Sequence, residues 1–160
     1  MAELTLATAV LRAAREAGLM ITTAESCTGG MIAAALTDVP GSSDVVDCGF
    51  VTYSNAAKQS MLGVQEATLA SYGAVSEQVA REMAEGALAH SRAALAVSTT
   101  GIAGPGGSEF KPEGRVCFAL ARQGQSTRTE TMDFGAPGRD EVRIRARNHA
   151  LSLLLRAAGG

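Results

Sequence analysis

The sequence predicts an α/β fold: one domain built as a three-layer α/β/α sandwich around a mixed β-sheet. Helical and β-type segments alternate through the first hundred residues, which is typical of parallel strands joined by helices. Two further β-type segments surround a Gln-Gly-Gln turn and predict an antiparallel hairpin. The 160 residues, 46% of them apolar, suffice for one buried core but are few for two domains. We therefore expect a single domain over residues 1–160.

The first elements follow from local patterns. Apolar residues at helical spacing predict a helix over residues 4–17, which Gly18 ends. A short apolar segment, residues 19–24, predicts the first strand. The strand breaks at residues 26–30, and small apolar residues predict a helix over residues 31–36.

A second strand and helix come next. Pro40-Gly41-Ser42-Ser43 has the composition of a turn. Alternating apolar and polar residues then predict a strand over residues 45–53. Lys58 follows in or near the first turn of a helix that Gly63 ends.

The second half of the chain completes the sheet. Ser76 is a good N-cap for a helix over residues 77–90. A third strand, residues 94–99, leads directly into a glycine-rich loop. The segments 115–122 and 127–134 form the predicted hairpin, and a final helix is expected over residues 139–157.

Charge and composition exclude several classes of protein. The net charge is −2, so no basic field would hold nucleic acid or an anionic membrane. The apolar segments are far shorter than the roughly 20 residues of a membrane-spanning helix, and the N-terminus lacks the features of a signal peptide. We expect a cytoplasmic protein. Three cysteines without a C-x-x-C pair predict free thiols, and no histidine-carboxylate spacing indicates a metal site.

Ser26 is the first candidate for catalysis, because it sits at a predicted strand-to-helix turn. Ligands bind at such strand ends in open α/β sheets. The N–H groups of the helix after Gly29-Gly30, or those near Gly101, are candidate donors to an oxyanion. The alternative is that Ser26 or Thr28 only caps the helix. Cys27 is a rival nucleophile, although its position in the turn should direct its side chain elsewhere.

Lys58 is the candidate activator of Ser26. His90 and His149 both fall in predicted helices and look structural, so a conventional serine triad has no base. A lysine in an apolar cleft loses basicity and can accept a serine proton. Tyr53 is placed to relay the proton or donate to the leaving group. The alternative is that Tyr53 and Lys58 are an ordinary strand-end aromatic and a solvated helix residue.

The loop over residues 100–107 is too glycine-dense for an ordinary connection. Close approach of backbone to a ligand requires residues without a Cβ atom. The loop matches neither a phosphate-binding P-loop nor the dinucleotide fingerprint, which favours a small-ligand loop.

Arginines recur every four residues on the final helix. Arg139, Arg143 and Arg147 share one face, which usually means a solvated, salt-bridged surface. Arg139 differs because it opens the helix, where its guanidinium could reach a ligand anion.

Five segments occur in an order that identifies a family. They are Ala-Glu-Ser-Cys-Thr-Gly-Gly, Pro-Gly-Ser-Ser, Val-Thr-Tyr-Ser-Asn-x-x-Lys, Gly-Ala-Val-Ser-Glu and Thr-Gly-Ile-Ala-Gly-Pro-Gly-Gly. Over nearly its whole length the chain resembles the CinA C-terminal family, the nicotinamide mononucleotide deamidases of PncC type. One departure is Pro137-Gly138-Arg139, where the family usually has an acidic residue before the arginine.

The resemblance implies hydrolysis of the carboxamide of nicotinamide mononucleotide to nicotinate mononucleotide and ammonia. It implies Ser26 as nucleophile, with Lys58 and Tyr53 as activating partners, no cofactor or metal, and a homodimer. Ser43, Thr100 and Arg139 match further polar positions of that family's site, and we expect them to bind the substrate. The other substrate-binding positions that we expect are Thr28, Gly29, Gly30, Asn55, Gly101 and Gly104.

Two other functions stay open from the sequence. The same crevice in a non-catalytic module would bind a nucleotide, with Lys58 charged as an anion contact. A regulatory role related to competence or DNA damage is disfavoured by the acidic net charge.

Overall fold

The structure, a computed structural model, describes residues 2–108 and 110–159, with the side chains of residues 2–5 outside the description. The described residues form six α-helices and five strands. In chain order they are α1 (Ala2–Ala17), β1 (Ile21–Glu25), α2 (Met31–Thr37), β2 (Val46–Val51), α3 (Asn55–Leu62), α4 (Glu66–Tyr72), α5 (Glu77–Ala89), β3 (Leu95–Gly101), β4 (Arg115–Arg122), β5 (Arg128–Asp133) and α6 (Arg139–Ala157).

The strands form one mixed sheet in the order β2-β1-β3-β4-β5. β1 pairs in parallel with both β2 and β3, whereas the β3/β4 and β4/β5 pairs are antiparallel. The helical crossovers account for the parallel half and the hairpin for the antiparallel half. The predicted α/β sandwich with a mixed sheet is therefore confirmed.

Two apolar layers cover the two faces of the sheet. One contains Val10, Ile32 and Leu151, from α1, α2 and α6. The other contains residues of α3 and α5, among them Met83. Strand side chains alternate between the layers: Val97 of β3 faces the first and its neighbour Ala96 the second. β1 and most of β3 are buried on both faces, as strands between two helical layers must be.

Most predicted elements agree with the structure to within a few residues. The final helix spans Arg139–Ala157 as expected, and Ser76 caps α5 by accepting a hydrogen bond from the Val79 amide. The sequence did not predict α4. It also missed a short 3-10 helix, Ser42–Asp44, within the expected turn. No helix in the described ranges is long and apolar enough to cross a membrane.

The parallel strands β1, β2 and β3 all end at one edge of the sheet, which we call the carboxyl edge. Ser26 and Thr52 directly follow β1 and β2, and β3 ends in the glycine-rich loop. Strand polarity thus brings together three segments far apart in the sequence, and it is here that open α/β sheets bind ligands.

Candidate active site

A cleft of about 340 Å³ opens at the carboxyl edge. Its walls come from the turn after β1, the start of α3, the segment before α5, the glycine-rich loop and the start of α6. The lining residues are Ser26, Cys27, Tyr53, Asn55, Lys58, Ala74, Val75, Thr100, Gly101, Ile102, Ala103, Gly104, Pro105, Gly106, Gly107, Ser108 and Arg139. Such a volume suits a small organic ligand.

Ser26 is held by the backbone at the base of this cleft. Its amide donates to the carbonyl of Thr99 on β3, and its own carbonyl accepts from the Gly29 amide. Only 7% of the residue is exposed. Ser26 therefore sits on a tight turn anchored to the neighbouring strand.

Glu25, the last residue of β1, fixes the same turn from within the protein. Its Oε1 atom accepts from the amides of Gly30 and Ile32 and from the Thr28 hydroxyl, at 2.6–3.1 Å. Its Oε2 atom accepts from the Ala33 amide at 3.0 Å. The carboxylate is fully buried and takes up donors of the first turn of α2 that no preceding side chain caps.

Arg143 holds the turn from the other side. Its Nε donates to the Cys27 carbonyl at 3.1 Å and its Nη2 to the Thr28 carbonyl at 3.4 Å. A Cβ atom at Gly29 would lie 3.1 Å from the same guanidinium, and Gly29 has a φ of +58°, which favours glycine. The expectation that Arg143 lies on a solvated surface is wrong, because α6 packs this face against the turn.

Lys58 points into the cleft from α3 and is 1% exposed. Its Nζ atom lies 3.0 Å from Ser26 Oγ, 3.0 Å from the Thr52 carbonyl oxygen and 3.2 Å from the Tyr53 carbonyl oxygen. Burial lowers the pKa of the lysine from its ordinary value, because desolvation disfavours the charged form. The structure thus brings the predicted Ser26 and Lys58 side chains into contact.

Cys27 follows Ser26 and is buried beside this pair. Its side chain is 6% exposed and belongs to the apolar layer beneath α2 and α6. Burial raises the pKa of the thiol to about 12, so the nucleophilic thiolate is scarce near neutral pH. Cys27 also lines the cleft, so the expectation that its side chain points elsewhere in the turn stays a prediction.

Tyr53 and Arg139 meet at the mouth of the cleft. Arg139 donates from Nη2 to the Tyr53 hydroxyl at 3.0 Å and from Nη1 to the Gly104 carbonyl at 2.6 Å. Tyr53 is 63% exposed. Among the residues that the structure describes, neither Ser26 nor Lys58 forms a hydrogen bond with the Tyr53 hydroxyl. Tyr53 instead contacts Lys58 through its backbone carbonyl oxygen.

The glycine-rich loop forms the opposite wall. The Thr100 hydroxyl donates to the Ala74 carbonyl at 2.8 Å, which ties the loop to the segment before α5. Gly104 has a φ of +91°, and a Cβ atom there would lie 2.6 Å from the Glu113 carboxyl carbon. Glu113 in turn accepts from the Gly106 amide. The loop is therefore fixed by contacts that only glycine permits.

The remaining predicted positions divide into three groups. Asn55 is exposed and lines the cleft at the start of α3. Thr28, Gly29 and Gly30 form the structural turn behind Ser26. Ser43 lies in the 3-10 helix that precedes β2, at the edge opposite the cleft, so it is not brought to the site within one chain.

The expectation that the helix after Gly29-Gly30 offers free oxyanion donors is wrong. Gly29 donates to Ser26, and Gly30 donates to Glu25. The reason is the buried carboxylate, which saturates this helix end. The amides of Cys27 and Thr28, the two residues after Ser26, have no hydrogen bond to another residue that the structure describes.

Sequence reasoning missed Glu25 and Arg143 as parts of the site. Glu25 carried a signal, since an acidic residue at the end of an otherwise uncharged, buried strand requires several donors. For Arg143 the sequence offered no signal beyond its helical spacing. In the described ranges, no group of three or more His, Cys, Asp or Glu side chains is arranged to hold a metal ion.

Comparisons with known proteins point to one family. Residues 3–158 match the family described as the CinA C-terminal domain. The chain is 53% identical over 144 residues to the nicotinamide-nucleotide amidohydrolase PncC of Escherichia coli, covering 89% of this chain and 87% of that protein. It is 54% identical to a CinA-like protein of Chlorobium phaeobacteroides, covering 88% of this chain.

The chain spans only about a third of some relatives, 34% of the Chlorobium phaeobacteroides protein. The crystal structure of the competence/damage inducible protein CihA from Agrobacterium tumefaciens superimposes with a TM-score of 0.93 at 49% identity. That alignment covers 99% of this chain and 96% of the other.

Proposed function

The chain belongs to the CinA C-terminal domain family, and we propose that it hydrolyses the carboxamide of nicotinamide mononucleotide to nicotinate mononucleotide and ammonia. A relative at 53% identity named as a nicotinamide-nucleotide amidohydrolase supports this reaction. The observation that carries the mechanism is the environment of Lys58 Nζ, between one serine hydroxyl and two backbone carbonyls.

The two carbonyls orient the lysine as a base. A neutral amine has two N–H donors and one lone pair. When the carbonyls of Thr52 and Tyr53 accept the two N–H groups, the lone pair remains for the hydroxyl proton of Ser26. Burial favours this neutral form. The site thus offers a serine with a base 3.0 Å from its oxygen, as nucleophilic catalysis requires.

Acylation begins when Ser26 Oγ attacks the carboxamide carbon and its proton passes to Lys58 Nζ. The resulting intermediate collapses as Lys58 returns the proton to the leaving nitrogen, and ammonia departs. Water then attacks the ester and gives up a proton to Lys58. As the ester bond breaks, Lys58 returns this proton to Ser26 Oγ, and the carboxylic acid is released. The amides of Cys27 and Thr28 are the candidate donors to the oxyanion.

The mouth of the cleft supports a substrate with a remote phosphate. Arg139 is exposed and lines the cleft, and a guanidinium binds phosphate in bidentate fashion. Tyr53 contacts this guanidinium through its hydroxyl, so its role runs through Arg139 and the positioning of the substrate. The phosphate would replace protein acceptors that Arg139 now uses.

A non-catalytic nucleotide-binding module is the second candidate, and one observation favours it. A protonated Lys58 has three N–H donors, and the structure offers three acceptors for them. In that case the charged lysine would attract an anionic ligand without reacting. The two functions differ in whether a bond is broken.

In the deciding experiment, the purified protein is incubated with nicotinamide mononucleotide, and the released ammonia and nicotinate mononucleotide are both measured. We expect equal amounts of the two products. The Ser26→Ala variant is the matched control for contaminating amidases. Binding of the mononucleotide without ammonia release would favour the non-catalytic module.

We also propose a homodimer in the cytoplasm. Val51, at the end of the edge strand β2, and Met61, on α3, are exposed large apolar residues, which a partner chain would cover. The molar mass from light scattering tests the dimer.

A further inference from the structure

A second cavity, of about 360 Å³, lies between the β4/β5 hairpin and the end of α6. Leu120 and Leu153 form part of its wall. Three arginines surround it: Arg122, Arg128 and Arg156. The cavity therefore combines an apolar surface with a cationic rim.

This cavity is remote from Ser26. Arg122 pairs across the sheet with Leu95, the first residue of β3, whereas the cleft lies beyond Gly101, the last residue of the same strand. At about 3.3 Å per residue the two ends of β3 are roughly 20 Å apart. The cavity thus belongs to the opposite edge of the sheet and plays no part in the proposed hydrolysis.

Only some of the charged side chains around the cavity have partners within the protein. Arg122 donates to the Ala157 carbonyl at 2.8 Å, and Glu130 contacts His149 at 2.7 Å. Arg128 and Arg156 are exposed, and their guanidinium groups have no hydrogen bond or ion pair with any residue that the structure describes. The rim therefore holds two unused guanidinium groups.

Several other arginines of this chain have carboxylate partners. Arg15 pairs with Asp44, Arg115 with Asp133 and Arg145 with Glu141. Arg128 and Arg156 instead border one concave surface with no acidic partner of their own. Two such groups at one cavity are suited to an oxyanion, which arginine binds in bidentate fashion.

We propose that this cavity binds a small organic phosphate, with a mononucleotide as the type of ligand. Arg128 and Arg156 contact the phosphate, and Leu120 and Leu153 pack against the apolar body. The Glu130 carboxylate, at the wall of the cavity, accepts hydrogen bonds from hydroxyl or amino groups of the ligand. Phosphate, apolar face and donor groups occur together in nucleotides, and the volume suits a ligand of that size.

The test is isothermal titration calorimetry in phosphate-free buffer with three probes: adenosine monophosphate, adenosine and inorganic phosphate. We expect the nucleotide to bind more tightly than either part. The double variant Arg128→Gln/Arg156→Gln should weaken its binding by at least about tenfold, since hydrogen bonds to charged groups are lost. Arg12→Gln is the matched control, because Arg12 is an exposed arginine on α1, away from the cavity.

Three results would overturn the proposal. The first is no binding of adenosine monophosphate at millimolar concentration. The second is equal affinity in the double variant, which would place the nucleotide in the cleft at Ser26. The third is equal affinity for inorganic phosphate and the nucleotide, which would show that the nucleoside part of the ligand does not contribute to binding. Thermal unfolding of every variant, followed by circular dichroism, shows that the fold is unchanged.

Discussion

The Lys58 Nζ atom lies 3.0 Å from Ser26 Oγ, although 32 positions separate the two residues in the chain. Both are almost fully buried, and the lysine has no carboxylate partner among its hydrogen bonds. A buried lysine without an opposite charge is costly when protonated. The pair is therefore suited to exchange a proton.

Ser26→Ala should lower turnover of nicotinamide mononucleotide by at least about a thousandfold, because the covalent intermediate cannot form. Cys27→Ser is the neighbouring control and should retain activity within a few-fold, since burial keeps the thiol protonated. Steady-state ammonia release measures both. An active Ser26→Ala variant with an inactive Cys27→Ser variant would show that the nucleophile is misassigned.

The pH profile of kcat/KM should rise with pH to a plateau. The reactive form has neutral Lys58, and burial holds the pKa of this lysine below its ordinary value of 10.5, so the rise should end below that pH. Lys58→Arg should lose about a hundredfold to ten-thousandfold in turnover, because arginine does not deprotonate. An active Lys58→Arg variant would instead support a purely electrostatic role.

Lys58 should also make stability depend on pH. Because burial lowers the folded-state pKa, the unfolded chain binds more protons between the folded and unfolded values, and the free energy of unfolding rises with pH there. At pH values below the folded-state pKa, the lysine is charged while buried, and this lowers the free energy of unfolding by its full amount. Lys58→Met lacks this titration, so wild type should gain stability relative to the variant as the pH rises towards 10.5.

Urea unfolding of both proteins between pH 7 and pH 10 measures this difference. The comparison cancels the titration of all groups that the two proteins share. A difference that stays constant over the range would contradict a depressed pKa for Lys58.

Glu25→Gln should destabilise the protein by roughly 3 kcal/mol, because the buried carboxylate accepts four hydrogen bonds and the amide replaces an acceptor with a donor. Turnover should fall more than substrate affinity, since the turn that carries Ser26 loses its anchor. Glu16→Gln, at an exposed position on α1, is the control. Unchanged stability and turnover in Glu25→Gln would show that the turn is held by other contacts.

Arg139→Ala should reduce the preference for nicotinamide mononucleotide over nicotinamide riboside, which lacks the phosphate. In wild type we expect a large preference, because remote binding energy positions the carboxamide against Ser26. The readout is kcat/KM for both substrates in both proteins. Equal efficiency on the two substrates in wild type would rule out a phosphate contact.

Tyr53→Phe tests whether Tyr53 acts through Arg139. The 3.0 Å contact between the two side chains predicts that the effects of Tyr53→Phe and Arg139→Ala are not additive in the double variant. Activity measurements on the four proteins complete the cycle. Additive effects would instead support an independent role for the tyrosine hydroxyl in proton transfer.

The sequence by itself determined the order and type of most elements. Ser26 at a strand-to-helix turn follows from an apolar segment and a Gly-Gly pair, and α6 from its helical periodicity and the Pro-Gly before Arg139. These signals are local, because propensity, capping and turn chemistry act over a few residues. The single-domain α/β sandwich was predictable for the same reason.

α4 shows where local signals fail. It has no buried residue, and its N-cap Gln65 makes no side-chain capping bond. Glu82 of α5 instead accepts from the Gln65 amide and the Thr68 hydroxyl. The cap comes from another helix, so no window of the sequence around α4 contains it.

The composition of the site was likewise decided by the tertiary structure. Parallel pairing of β1 and β2 places Ser26 and Ser43 at opposite edges of the sheet, although both belong to segments of the same family pattern. Arg143 was expected on the surface, but the packing of α6 lets it donate to the carbonyls of Cys27 and Thr28 in the Ser26 turn. Sequence patterns specify which residues are available, whereas strand polarity and helix packing decide which of them meet, because those contacts join segments up to 116 residues apart.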